Sequence, residues 1–160
     1  MSLKDHRDSP EYIKSDHIYS ITGYVNWPVT VFNFSMSPFM IGLFGKHEIN
    51  NALFDTLRDR RIKDRDWKAD YYELPQQIRH CHMLFISGIT GEELKNLIQY
   101  ISKKKILTVG DNIDNFCQSG GMVNLSGTHP DYRYEINLNA IQNAGLTVQE
   151  EFLIMATLIE

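Results

Sequence analysis

Three short stretches carry the residue types a polar ligand site needs: Gly45-Lys46-His47, Ser87-Gly88-Ile89-Thr90-Gly91 and Gly110-Asp111-Asn112. Each follows a run of apolar residues. Glycine at such a place lets the backbone turn sharply or be approached closely, and the free N–H groups of a following helix can hold an anion. In an open parallel sheet, ligands bind beyond the carboxyl ends of the strands. Lys46, Ser87, Thr90, Asp111 and Asn112 are therefore the candidate ligand-binding residues. An ordinary explanation stands beside this one: strand-to-helix turns use Gly, Ser, Thr, Asp and Asn for turn and cap geometry whatever the function. Neither a phosphate loop nor a G-x-G-x-x-G pattern occurs, so a nucleotide is not indicated and no cofactor is expected.

His80-Cys81-His82 invites a metal reading. In a strand, His80 and His82 point to one face and Cys81 to the other, so the three cannot converge without remote ligands. They read instead as partly buried or capping side chains, and no metal is expected. Cys117 could act as a nucleophile with His129 or His47 as base, but no glycine-rich nucleophile turn surrounds it. No catalytic residue is assigned. The acid pairs Glu92-Glu93 and Glu150-Glu151 fall at helix starts, where the macrodipole favours them.

The charge balance limits the partners. Sixteen Lys and Arg stand against 20 Asp and Glu, a net charge of −4, which argues against nucleic acid. Arg58, Arg60, Arg61, Lys63 and Arg65 cluster, but Asp59, Asp64 and Asp66 alternate with them, as in a solvated loop. No apolar run approaches the roughly 20 residues of a membrane span. Met1-Ser2-Leu3 leads straight into polar residues, so either there is no leader or an expression scar has replaced it. Cys81 and Cys117 allow one long-range disulfide or two free thiols. The thiols are favoured, because Cys81 enters the sheet interior.

These residues must be positioned by regular elements. Residues 1–8 read as a disordered or expression-derived tail, and 9–160 as one domain. Ser9-Pro10-Glu11 starts a helix that buries Ile18, Ile21 and Val25 and ends at Trp27-Pro28. Gly23 within it suggests close packing against a neighbour. Val29–Phe34 is expected to form a short edge strand. Phe39–Phe44, Trp67–Leu74, Met83–Ile86 and Ile106–Val109 read as strands, three of them apolar on both faces. Helices are expected over 49–57 and from Thr90 to Lys105. A small helix should carry Ile113 and Phe116 to Gly120-Gly121. A hairpin follows, Met122–Leu125 with Tyr132–Ile136. Then come a helix capped by Asn137 and closed by Gly145, and a final helix over 148–159. The pattern predicts a three-layer α/β/α sandwich with a mostly parallel sheet and an antiparallel C-terminal hairpin. Arg133 and Glu135 alternate on one face of the last hairpin strand. They are candidate contacts for a partner or a dimer mate.

Several motifs lie in one order along the chain: Tyr24-Val25-Asn26-Trp27-Pro28, Ile41-Gly42-Leu43-Phe44-Gly45 and Cys81-His82-Met83-Leu84-Phe85-Ile86-Ser87. Leu107-Thr108-Val109-Gly110-Asp111 with Phe116 follows, then Gly120-Gly121-Met122-Val123-Asn124-Leu125. Tyr134-Glu135-Ile136-Asn137-Leu138 and Ala144-Gly145-Leu146 complete the set. Each is weak alone. In this order and spacing, over essentially residues 11–160, they strongly resemble the YfiR family of YfiR/HmsC-like periplasmic regulators. The resemblance makes Trp27, Pro28, Gly45, Gly110, Gly120, Gly121, Asn137 and Gly145 structural family positions. It implies an exported, non-enzymatic domain that represses or tunes a membrane-bound diguanylate cyclase or sensor kinase by contacting its extracytoplasmic region. Cyclic-di-GMP output, and with it biofilm formation, would be held down. Dimers and redox-sensitive disulfides are also associated with the family, though two cysteines fall short of a multi-disulfide switch. The alternative is a small-molecule-sensing domain that takes a polar ligand at the carboxyl ends of the parallel strands.

Overall fold

The computed structural model describes residues 8–45 and 49–160. The expected tail therefore falls almost wholly outside the described residues, as do Lys46 and His47. Helix α1 spans Pro10–Tyr24 and buries Tyr12, Ser15, Ile18, Ile21 and Thr22. Proline occupies its first turn, and the Ser9 hydroxyl makes no capping bond. The helix stops short of Trp27. Val25–Asn26 (β1) leaves it to pair antiparallel with Thr147–Val148, so a long-range ladder sets the boundary. Gly23 has open space around it, so close packing does not explain it.

Val29–Val31 is a 3-10 turn, and the expected edge strand is absent there. Its neighbourhood spends backbone acceptors on side chains. Arg65 Nη1 donates to the carbonyls of Phe34, Ser35 and Ser37 at 3.2, 3.0 and 2.7 Å. Strand β2 (Phe39–Gly45) leads to α2 (Asn50–Leu57), β3 (Trp67–Tyr72), a short turn at Pro75–Gln77, and β4 (Met83–Ser87). Then come α3 (Gly91–Ile101), β5 (Leu107–Asp111), β6 (Val123–Ser126) and β7 (Arg133–Ile136). The chain ends with α4 (Leu138–Asn143), β8 (Thr147–Val148), α5 (Glu150–Met155) and β9 (Thr157–Leu158).

The main sheet runs β3-β2-β4-β5-β6-β7-β9. Its first five strands are parallel, β7 is antiparallel to β6, and β9 lies parallel to β7 at the outer edge. Alternation along the strands divides the core. Ile41, Leu43, Met83, Phe85, Leu107 and Val109 face the side that carries α1 and α2. Phe44, Leu84 and Ile86 face α3. This is the three-layer α/β/α arrangement expected of strands apolar on both faces.

Two expected helices are cut down. The segment from Asn112 to Gly120 is a series of turns. Asn112 and Asn115 sit at φ +52° and +58°, which a helix cannot carry. The last helix is only Glu150–Met155, because Thr157–Leu158 is drawn to the open edge of β7, where Ile159 N–H donates to the Ile136 carbonyl at 2.8 Å.

Candidate functional site

Counted along the chain, the five parallel strands have the order 2-1-3-4-5. The direction of winding reverses between β2 and β4, which is where a crevice opens at the carboxyl ends of such a sheet. Gly45 and Ser87 are register partners there. Gly45 takes φ +95°, and a side chain on it would meet the Ser87 carbonyl oxygen at 1.9 Å. Only glycine fits that approach.

The structure brings Ser87 and Asp111 together. Ser87 Oγ donates to Asp111 Oδ2 at 2.8 Å, from adjacent strands β4 and β5. Asp111 Oδ1 lies 2.8 Å from Lys14 Nζ of α1, and both side chains are largely buried. That oxygen has the ammonium as its charge partner and no well-directed hydrogen bond. Asn112 points elsewhere: its Oδ1 accepts from Gly127 N at 3.1 Å and ties down the loop after β6. Thr90 is exposed ahead of α3, and its hydroxyl makes no capping bond.

Residues from α1 and β7 complete this end of the sheet. The Lys14 ammonium stands 5.7 Å from the Tyr132 ring centre. His17, one turn along α1, packs edge-on to Tyr132 and Tyr134. Burial holds the Tyr134 phenol above its usual titration range, and burial lowers His17 despite the opposing charge of Asp16. The Tyr134 hydroxyl and His17 Nδ1 share a hydrogen bond of 2.6 Å. The sequence does not mark Lys14, Tyr132 or Tyr134 as site residues. The usable signal was the spacing of Lys14, His17, Ile18 and Ile21 on one helix stripe.

The chemistry open to this arrangement is restricted. The Ser87 proton points at a carboxylate already paired with lysine, and the nearby histidine is held by a tyrosine, so among the described residues here no relay reaches a nucleophile. Cys117 is buried, and its thiol is pushed up to about 12 by burial and then by the charge of Glu135. His129 lies exposed against Tyr132. Cys81 is also a buried free thiol pushed up to about 12, chiefly by burial and then by Asp70.

His80 and His82 do face one side, with ring centres 4.9 Å apart, while Cys81 enters the opposite apolar cluster. His82 is spent on structure: Met40 N–H donates to its Nδ1 at 2.8 Å, and its Nε2 faces the Val31 carbonyl at 3.4 Å. Among the described residues, no group of three His, Cys, Asp or Glu side chains gathers to hold a metal.

Of the candidate partner contacts, Arg133 is exposed. Glu135 is half-buried and its Oε1 accepts from Asn124 Nδ2 at 2.8 Å. β7 is not the sheet edge, since β9 covers it.

The family positions hold the frame. Trp27 Nε1 donates to the His82 carbonyl at 2.9 Å, and the Pro28 carbonyl accepts from Val31 N. Gly110 and Gly121 leave room for the Phe116 ring, which added side chains would meet at 2.8 and 2.3 Å. Gly120 and Gly145 have φ of +103° and +80°. Asn137 caps α4 through Ala140 N at 3.0 Å and also donates to the Cys117 carbonyl at 2.9 Å.

A comparison with curated proteins finds no match. The sequence model of the family described as YfiR/HmsC-like matches residues 11–157.

Proposed function

The chain belongs to the YfiR/HmsC-like family, and on that premise we propose that it is an exported, non-enzymatic regulatory domain acting in the periplasm. It binds the extracytoplasmic part of a membrane signalling protein, a diguanylate cyclase or a sensor kinase, and represses or tunes it. Cyclic-di-GMP output and biofilm formation lie downstream of that contact. The family match over nearly the whole chain is the observation that carries this reading. No described helix is long and apolar enough to cross a membrane, so a contact with the membrane protein would come from the folded surface. Arg133 is the candidate contact best placed for it, because Glu135 already serves Asn124. A homodimer through the same region belongs to this proposal.

Capture on the tagged protein from native envelope fractions should enrich a cyclase or kinase with an extracytoplasmic sensor region. Enrichment of no such protein, under conditions that retain other envelope complexes, overturns the reading.

The second reading is a polar-ligand sensor at the carboxyl ends of the strands, centred on Ser87 and Asp111, the two expected residues that meet there. The half-buried Lys14–Asp111 pair beside the winding reversal favours it, since a ligand carboxylate or amine could exchange for one partner. Thermal-shift screening of polar metabolites should then give a stabilising hit that Asp111→Asn abolishes. A flat screen removes this reading and leaves the first intact.

A further inference from the structure

At the opposite end of the sheet, by the amino ends of β4 and β5, a cavity of about 280 Å³ is lined by Arg79, His80, Lys104 and Lys105 together with the Thr30–Val31 turn. No carboxylate of the described residues lines it, although the chain as a whole carries a net charge of −4. The ion pairs among the described residues are Lys14–Asp111, Arg58–Asp55 and Arg61–Asp66, so none of the three cations here has an acid partner. Unpaired cations converging on a concave surface attract an anion.

A second cavity of about 300 Å³ has Ile106 in common with the first. It lies between α3, β5 and α4 and is lined by Ile98, Ile101, Ile106, Met122, Ala140 and Ala144. Lys105 lines the first, and its ammonium lies 3.2 Å from where a side chain on Gly145 would begin, next in sequence to Ala144 of the second. Each cavity falls near the lower bound of small-molecule pockets.

The geometry points to a site for an anionic single-chain amphiphile. Its carboxylate or phosphate head would sit among Arg79, Lys104 and Lys105, and its aliphatic chain would fill the slot between α3 and α4. This site is separate from the crevice at the carboxyl ends and does not depend on the signalling partner.

Calorimetric titration of the full chain with hexanoate, octanoate and decanoate, below their micellar concentrations, tests it. Affinity should rise about fourfold per added methylene. Octanol, which lacks the charge, should bind at least about tenfold more weakly than octanoate. Lys104→Glu and Arg79→Ala, both at exposed positions, should each weaken decanoate about tenfold. Ala140→Leu should remove the chain-length dependence by filling the slot, with the melting temperature as the control for folding. Equal affinity across the acids, or inorganic phosphate binding as tightly as decanoate, overturns the proposal in favour of a plain anion cavity. Octanol matching octanoate also overturns it. So does binding only to phosphatidylglycerol vesicles, which would mark a membrane-facing surface.

Discussion

His82 is 1% exposed, yet both ring nitrogens have partners and the ring lies against Phe32 and Phe39. Met40 donates to Nδ1, so the ring proton sits on Nε2 and points to Val31. A second proton would have no acceptor. Burial, followed by the charges of His80 and Arg65 against the opposing Val31 carbonyl, lowers its pKa from 6.5 to about 4. Between those values the unfolded chain binds a proton here and the folded chain does not. Stability is therefore complete above about pH 6.5 and is lost as pH falls toward 4, by up to about 3 kcal/mol. Denaturant midpoints measured from pH 7.5 to 4 should show this loss, and His82→Gln should flatten that part of the profile. The Lys14–Asp111 pair behaves differently. Removing Lys14 strands a largely buried carboxylate, so Lys14→Met should destabilise more than Lys14→Met combined with Asp111→Asn. Urea unfolding of the two variants checks the order.

The turns between β5 and β6 work as an element although they are not a helix. Asn124 replaces the missing ladder: its Oδ1 accepts from Ile113 N at 3.1 Å, and its Nδ2 donates to Ile113 O at 2.9 Å. Phe116, fully buried, plugs the turns onto Gly110 and Gly121. A methyl on Gly121 would overlap the ring, so Gly121→Ala should cost about 1–3 kcal/mol, and Phe116→Leu should recover part of that loss. Thermal unfolding of the single and double variants reads this coupling. Asn137→Ala removes the cap of α4 and the donor to the buried Cys117 carbonyl, and should cost about 1–2 kcal/mol by the same measurement.

Across the whole molecule, the two ends of the sheet differ in charge and in depth. The carboxyl ends hold a neutralised lysine–aspartate pair under α1, while the amino ends carry two cavities, one of them lined by cations that have no acid partner among the described residues. β9 covers β7, which leaves Arg133 on an exposed face near the end of the sheet that carries the sensor-type crevice. On the regulatory reading proposed above, Arg133 is a rim charge. Arg133→Glu should slow association with the captured signalling partner and reduce its dependence on salt, while leaving the melting temperature within about 1 °C. Surface-binding kinetics at two ionic strengths measure this.

The strands β2, β4 and β5 were legible because each is a continuous apolar run ended by glycine or a polar turn, and a strand covered on both faces has no other composition. The order of family motifs was legible for the same reason: many of those residues are the turns and close approaches the fold cannot make otherwise. The 113–120 turns, the early end of α1 and the shortened last helix were not legible. Each is decided by a partner distant in sequence: Asn124, Thr147–Val148 and Ile136. Local pattern cannot register a hydrogen bond made across the sheet. The candidate site shows the same division. Residue types near Ser87 and Asp111 marked the place, but Lys14, which pairs with Asp111, comes from a helix nearly a hundred residues earlier. The basic and apolar cavities at the other end exist only because packing sets α3, α4 and the start of β5 side by side.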